Sequence, residues 1–324
     1  MKTLPPVAVR LCGLCIVGAI ALLMFDPSTA PAQTHVPKGS PVSESSTDPE
    51  AEPGEVSEES GDKSRRRILP RMGPQPLTEE QHEEAVRVRK LARKFGTDPT
   101  AIVGRLQLTS QYLNLPQGGQ GAATVFRLDL PYRHNFVVRA DVPFLRWNIP
   151  DRPGVTSARG MSDVSLTAGW RAYNTPEYAI FLGVQSTLPT ADENTLGLGK
   201  YTVGPFIATG RFLPRLDSLL FGVFQHQSSV GGNSSRQDVE VSRFVAQLNT
   251  IWDERWWTLV QSIWQIDWEQ NAKSSMTLEF EAGRNVVGRL GAFVRPGVGI
   301  WGRQLVGAYD WNIEVGVRYM FGSF

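Results

Sequence analysis

From Ala101 onward the chain keeps a period of two. Polar and apolar residues alternate through Arg105-Leu106-Gln107-Leu108-Thr109-Ser110-Gln111, and Phe136, Val138, Ala140 and Val142 alternate with Val137, Arg139 and Asp141. The rhythm returns in Asp163-Val164-Ser165-Leu166-Thr167-Ala168 and in Met276-Thr277-Leu278-Glu279-Phe280-Glu281. It ends with Trp311, Ile313, Val315, Val317, Tyr319 and Phe321 alternating with Asn312, Glu314, Gly316, Arg318 and Met320. Side chains of a strand point alternately to opposite faces, so each stretch has one apolar face and one polar face.

Twelve such strands begin near residues 102, 124, 135, 162, 178, 201, 219, 240, 256, 275, 290 and 311. Short connections (Tyr132 to His134, Asn174 to Glu177, Pro214 to Asp217, Asp253 to Arg255, Asn285 to Gly288) alternate with ones that are mostly longer, such as Asn148 to Met161 and Pro189 to Lys200. An even number of strands with alternating short turns and long loops predicts an all-β, twelve-stranded antiparallel transmembrane barrel over 101–324. The sheet must close, because an open edge in hydrocarbon leaves backbone groups unpaired.

Two features separate lipid from water on the apolar face. Eight of the nine Trp (147, 170, 252, 256, 257, 268, 301 and 311) lie near expected strand ends, where an interfacial aromatic girdle belongs. Lysine almost vanishes after residue 100: only Lys200 and Lys273 remain, both expected in loops. A soluble sandwich would also alternate, but has no reason to sort its loops by length.

The N-terminal third is of another kind. Lys2 and Arg10 precede the apolar run Leu11 to Phe25, and Ala30-Pro31-Ala32 supplies an A-x-A site; the run is short for a transmembrane helix. Residues 1–32 therefore read as a signal peptide cleaved near Ala32. Cleavage removes both cysteines, Cys12 and Cys15, and with Lys2, Arg10 and Asp26 gone it brings the net charge from +1 to zero. That balance gives no electrostatic case for binding nucleic acid. Residues 33–77, rich in Ser, Glu and Pro, have no apolar face to bury and read as a disordered acidic linker. At 78–96, Thr78-Glu79-Glu80-Gln81 forms a capping box, and Ala85, Val88, Leu91, Ala92 and Phe95 recur at helical spacing before Gly96. This is a short amphipathic helix that packs on the barrel or sits in its mouth.

With the apolar parity facing lipid, the other parity lines a lumen. It carries Arg105, Arg127, Arg139, Arg171, Arg243, Arg295 and Arg318 together with Asp129, Asp141, Asp163, Asp267, Glu279, Glu281 and Glu314, and glutamines fill between. Enclosed charges persist when paired, and arginine bridges carboxylates bidentately. These fourteen residues are candidates both for a salt-bridged wall and for a permeation path. No cofactor is implied. His35, His82, His134 and His226 have no ligand spacing, and Gly197-Leu198-Gly199-Lys200-Tyr201 lacks the first glycine and the hydroxyl of a P-loop.

The last strand, with Gly316, Tyr319, Phe321 and the terminal Phe324, resembles the signal by which the barrel-assembly machinery inserts such proteins. Gly160-Met161-Ser162-Asp163, Leu188-Pro189-Thr190, Leu196 to Tyr201 and Gly204-Pro205 together resemble the outer-membrane barrel family of the meta-pathway of phenol degradation. This resemblance covers 101–324. It implies transport of small, hydrophobic or aromatic molecules across the outer membrane, with lipid and a small-molecule permeant as partners. Met161 and Ala191 stand where that family usually has glycine. A rival resemblance is catalytic: His226-Gln227-Ser228 with Asn233 is similar to the His-x-Ser…Asn arrangement of outer-membrane phospholipase, and His and Ser at i and i+2 share one strand face. A third reading makes the barrel an anchor whose residues 33–96 recruit a periplasmic partner.

Overall fold

The structure, a computed structural model, describes residues 77–148, 157–305 and 307–322. The expected signal peptide, the expected linker up to residue 76 and Phe324 of the expected insertion signal lie outside the described residues.

Helix α1 (Glu79–Phe95) begins as its residues dictate. The Gln81 N–H donates to Thr78 Oγ1 at 3.3 Å and the Thr78 N–H to Gln81 Oε1 at 3.1 Å, closing the capping box. Glu79 and Glu80 face the positive end of the helix dipole, and Arg93 and Lys94 the negative end. Gly96 ends it in the left-handed region at φ 69°. A Cβ there would also crowd the Met320 thioether.

The strands follow as β1 (Gly104–Asn114), β2 (Gln120–Tyr132), β3 (Phe136–Asn148), β4 (Ser157–Met161), β5 (Val164–Asn174), β6 (Tyr178–Leu188), β7 (Lys200–Leu213), β8 (Ser218–Gly232), β9 (Glu240–Ile251), β10 (Trp256–Asp267), β11 (Lys273–Val287), β12 (Leu290–Trp301) and β13 (Trp311–Phe321). All pairings are antiparallel, and β13 returns to β1, from Gly104 opposite Phe321 to Asn114 opposite Trp311. β4 and β5 share one position in the wall: β3 pairs with β5 over 136–141 and with β4 over 144–148. The break falls at Pro143, whose carbonyl accepts the Ser162 N–H at 2.8 Å but which has no N–H to return. The result is a closed barrel with twelve strand positions.

Three expectations are corrected. The connection from Asn148 to Met161 is not all loop, since its second part is β4. Lys200 and Lys273 open strands β7 and β11, with Lys200 Nζ held 2.7 Å from Asp238. Trp257 is not in the girdle: it is fully buried inside the barrel, and Trp147 turns inward over Gly121.

Elsewhere the outward parity is predominantly apolar. Leu106, Leu108, Phe126, Leu130, Leu166, Val203, Phe224, Val260, Phe280, Val294, Val315 and Val317 are all exposed. Trp252, Trp256, Trp268 and Trp311 are exposed at or beside strand ends, and Trp170 is exposed opposite Phe136, the first residue of β3. A soluble protein does not present such a surface to water, whereas the hydrocarbon of a bilayer is its matching solvent.

Candidate functional site: the barrel lumen

The inward parity is not uniformly polar. At the short-turn end it carries Phe212, Leu219, Phe221, Ile251, Trp257 and Phe293, all buried against Ala85, Val88, Leu91, Ala92 and Phe95 of α1. Helix α1 thus lies in that mouth of the barrel, its apolar face against an apolar floor. Phe95 stacks on Trp257 with ring centroids 5.0 Å apart. The Trp257 ring lies flat against the wall because Gly283 beneath it has no Cβ, and Phe293 covers Gly316 in the same way.

Polar contacts fix the helix further. Arg89, 2% exposed, donates to the Thr175 carbonyl at 2.7 Å and to Thr100 Oγ1 at 3.1 Å, and lies 3.5 Å from the buried Asp98 carboxylate. Burial pulls its guanidinium below the ordinary arginine range, with Asp98 opposing. The Gly96 carbonyl receives Arg105 Nη1 at 3.2 Å and Arg318 Nη1 at 3.0 Å. Asn249 Nδ2 donates to Thr97 Oγ1 at 2.7 Å.

Above this floor lies a belt of ion pairs. Asp129, 3% exposed, is held by Arg105 at 2.6 Å and by Arg139 at 2.7 Å, and Arg127 meets Asp141 at 2.6 Å. On the adjoining arc Glu281, fully buried, accepts from Arg295, from Arg318 at 2.7 Å and from Trp257 Nε1 at 2.6 Å. Arg295 also lies 3.5 Å from Glu314. Glu279 accepts from Gln261 at 2.6 Å and from the Tyr309 hydroxyl at 2.5 Å. Tyr309 belongs to the β12–β13 loop, which folds inward. Burial and the Glu279 carboxylate push its phenol upward.

The belt therefore unites ten of the fourteen sequence candidates: Arg105, Arg127, Asp129, Arg139, Asp141, Glu279, Glu281, Arg295, Glu314 and Arg318. The other four make no ion pair with the belt. Arg243, on the inner face of β9, lies within electrostatic reach of Glu279 and Tyr309. Arg171 sits at the short-turn rim and donates to the His134 carbonyl at 2.8 Å. Asp267 accepts from Gln270 at 2.7 Å at the long-loop end. Asp163 fills the gap between β4 and β5 and accepts from the Ala191 N–H at 3.2 Å and the Leu198 N–H at 2.6 Å. Ser162 Oγ donates to the Leu196 carbonyl at 2.5 Å, and the Met161 N–H to Asp192 at 2.7 Å. These bonds tie the β6–β7 loop over the broken strand.

Between α1 and the belt is a chamber of about 290 Å³, bounded by Gly96, Thr97, Pro99, Gln247, Leu259, Gln261 and the belt arginines. Its size falls near the small end of ligand-binding cavities.

The fold is that of the outer-membrane barrels. An outer membrane channel from Pseudomonas putida F1 superposes with a TM-score of 0.54 at 13% identity, over 68% of this chain and 96% of that one. The NanC porin gives 0.49 at 10% identity, covering 66% and 98%, and the KdgM porin in complex with disordered oligogalacturonate 0.46 at 7%, covering 67% and 99%. No family model matches the chain, and no curated protein does.

The catalytic candidates lie on the outer parity of β8 and β9, near the long-loop end. Ser228 Oγ is 3.2 Å from His226 Nε2, and His226 Nδ1 is 3.0 Å from Ser242 Oγ. Asn233 takes no part in this pair; its side-chain oxygen accepts from the Ser235 N–H and hydroxyl. The inward apolar floor breaks the simple alternation of the strands. Its signal was present: Leu219-Leu220-Phe221 and Trp256-Trp257 are apolar at both parities.

Proposed function

We propose that this chain is an outer-membrane channel for the passive passage of small, hydrophobic or aromatic, molecules, and that α1 closes its short-turn mouth. The observation that carries the reading is the lumen itself: a helix seated on an apolar floor, and a chamber walled by charged and amide side chains above it. A barrel serving only as an anchor has no need of such a chamber. Kinship with the family of the meta-pathway of phenol degradation is part of the reading, supported by the way Ser162 and Asp163 of one shared motif meet Leu196 and Leu198 of another. In this scheme residues 1–32 direct export, the Gly316, Tyr319, Phe321 and Phe324 pattern engages the assembly machinery, and residues 33–77 lie in the periplasm. The belt residues line the path and hold the wall round.

Planar bilayers test it. The chain from Gln33 should give small discrete conductance steps, and the chain lacking residues 33–100 larger ones. Silence from both forms rejects the channel and favours an anchor whose residues 33–96 bind a periplasmic partner. The Ser228–His226 hydrogen bond favours a second reading, a lipid hydrolase acting at the outer rim.

A further inference from the structure

We propose that the chamber beneath the belt is a binding site for a small organic carboxylate, gripped by Arg127 and Arg139; this rests on the channel reading and names the class of molecule that passes. Five guanidiniums line the chamber (Arg105, Arg127, Arg139, Arg295 and Arg318), and Glu314 is the one acid among the described lining residues. All five come from the contiguous arc β12–β13–β1–β2–β3, so their charges add over one wall. Of the acids that hold them, Asp129 and Glu281 stand behind, 3% and 0% exposed and each occupied by two arginines, and Asp141, paired with Arg127, does not line the chamber. The face turned to the chamber is therefore cationic although the belt itself has as many acids as arginines, and rings of arginine select anions.

The donor geometry is specific. Arg127 uses Nε and Nη2 on Asp141, and Arg139 uses Nε and Nη2 on Asp129. That leaves Nη1 of each without a partner among the described residues. The two side chains spring from neighbouring strands, one register step apart, with Arg127 opposite Asp141 and Asp129 opposite Arg139. Two free N–H edges of adjacent guanidiniums suit the two oxygens of a carboxylate. The rest of the lining is neutral, with Gln247, Gln261, Leu259 and Val125 available to the uncharged body of the ligand. A chamber of about 290 Å³ suits a single-ring acid.

The test is calorimetric titration of the detergent-solubilised full chain with benzoate, benzyl alcohol and benzylamine. Benzoate should bind about tenfold or more tighter than benzyl alcohol, the value of one charge-assisted hydrogen bond, and benzylamine more weakly than either. Arg127→Gln and Arg139→Gln should each weaken benzoate by about tenfold and leave benzyl alcohol unchanged. Gel migration that still shifts on heating confirms that each variant has folded. Equal binding of benzoate and benzyl alcohol to the unaltered chain overturns the proposal without recourse to any variant, as does undiminished benzoate binding when both arginines are replaced. Selective benzoate binding by a chain silent in bilayers upholds the site and rejects the channel. An open channel in which benzoate has no advantage rejects the site and upholds the channel.

Discussion

Phe95→Ala is the most direct test of the helix as a closure. The side chain is 2% exposed, lies among Ala92, Leu91 and the barrel residues Phe212, Leu219 and Phe293, and stacks on Trp257 at 5.0 Å with the ring planes 26° apart. It belongs to the helix, so its loss leaves every strand pairing intact. Truncating a buried Phe costs about 3–5 kcal/mol. At about 1.4 kcal/mol per decade, the undocked-to-docked ratio of α1 should rise about a hundredfold to several-thousandfold. Single-channel recording should show this as longer and larger openings, and limited trypsin digestion should cut at Arg87, Lys90 or Arg93 in the variant while sparing the parent. An unchanged open probability together with unchanged protection would refute the docking argument, because no compensating contact of that size exists for a methyl group in the same cavity.

Asp98→Asn leaves the nearly buried Arg89 without its countercharge and should loosen the helix by about 3–5 kcal/mol while barrel migration on gels stays unchanged. Glu281→Gln removes the countercharge of Arg295 and Arg318 and replaces one of the two acceptor oxygens by a donor, and should lower barrel stability by a similar 3–5 kcal/mol, read from the urea midpoint of intrinsic fluorescence. Tyr309→Phe should free the β12–β13 loop and increase current noise by losing a bond of about 1.5–3 kcal/mol. Folding raises the phenol above its ordinary 10.0, so the latch is complete below that pH and weakens as pH climbs past it; the effect of the substitution should therefore be constant between about pH 6 and 9. Ser228→Ala should leave conductance unchanged, and any phospholipid hydrolysis that it abolishes would establish the second reading.

The barrel was legible because a membrane wall obeys one rule along its whole length: Leu106, Leu108, Phe126, Leu166, Val315 and Val317 face lipid, and their neighbours face inward. The helix was legible from Thr78, Gln81 and Gly96, whose capping bonds are local. The floor was not, because assigning one parity to water leaves no place for Leu219, Phe221, Trp257 and Phe293; only a partner distant in sequence explains them. The same distance hid the pairing pattern of the belt. Residue type predicted that Arg105 and Asp129 would find acids and bases, but the register of β1 against β2 and of β2 against β3 decided that two arginines share one aspartate. Pro143 could have announced the broken strand, being the one residue of β3 with no N–H to give.

The grip on the Gly96 carbonyl ties two events together. Arg105 and Arg318, which hold it, stand on the first and last staves, and those two staves zip the cylinder shut. The Arg105 clasp is local, nine residues from Gly96, whereas the Arg318 clasp forms only when the seam brings the last stave beside the first. A chain that closes around an empty mouth would trap the grease of Phe221, Trp257 and Phe293 in water, so assembly in the membrane is driven to finish with the stopper in place.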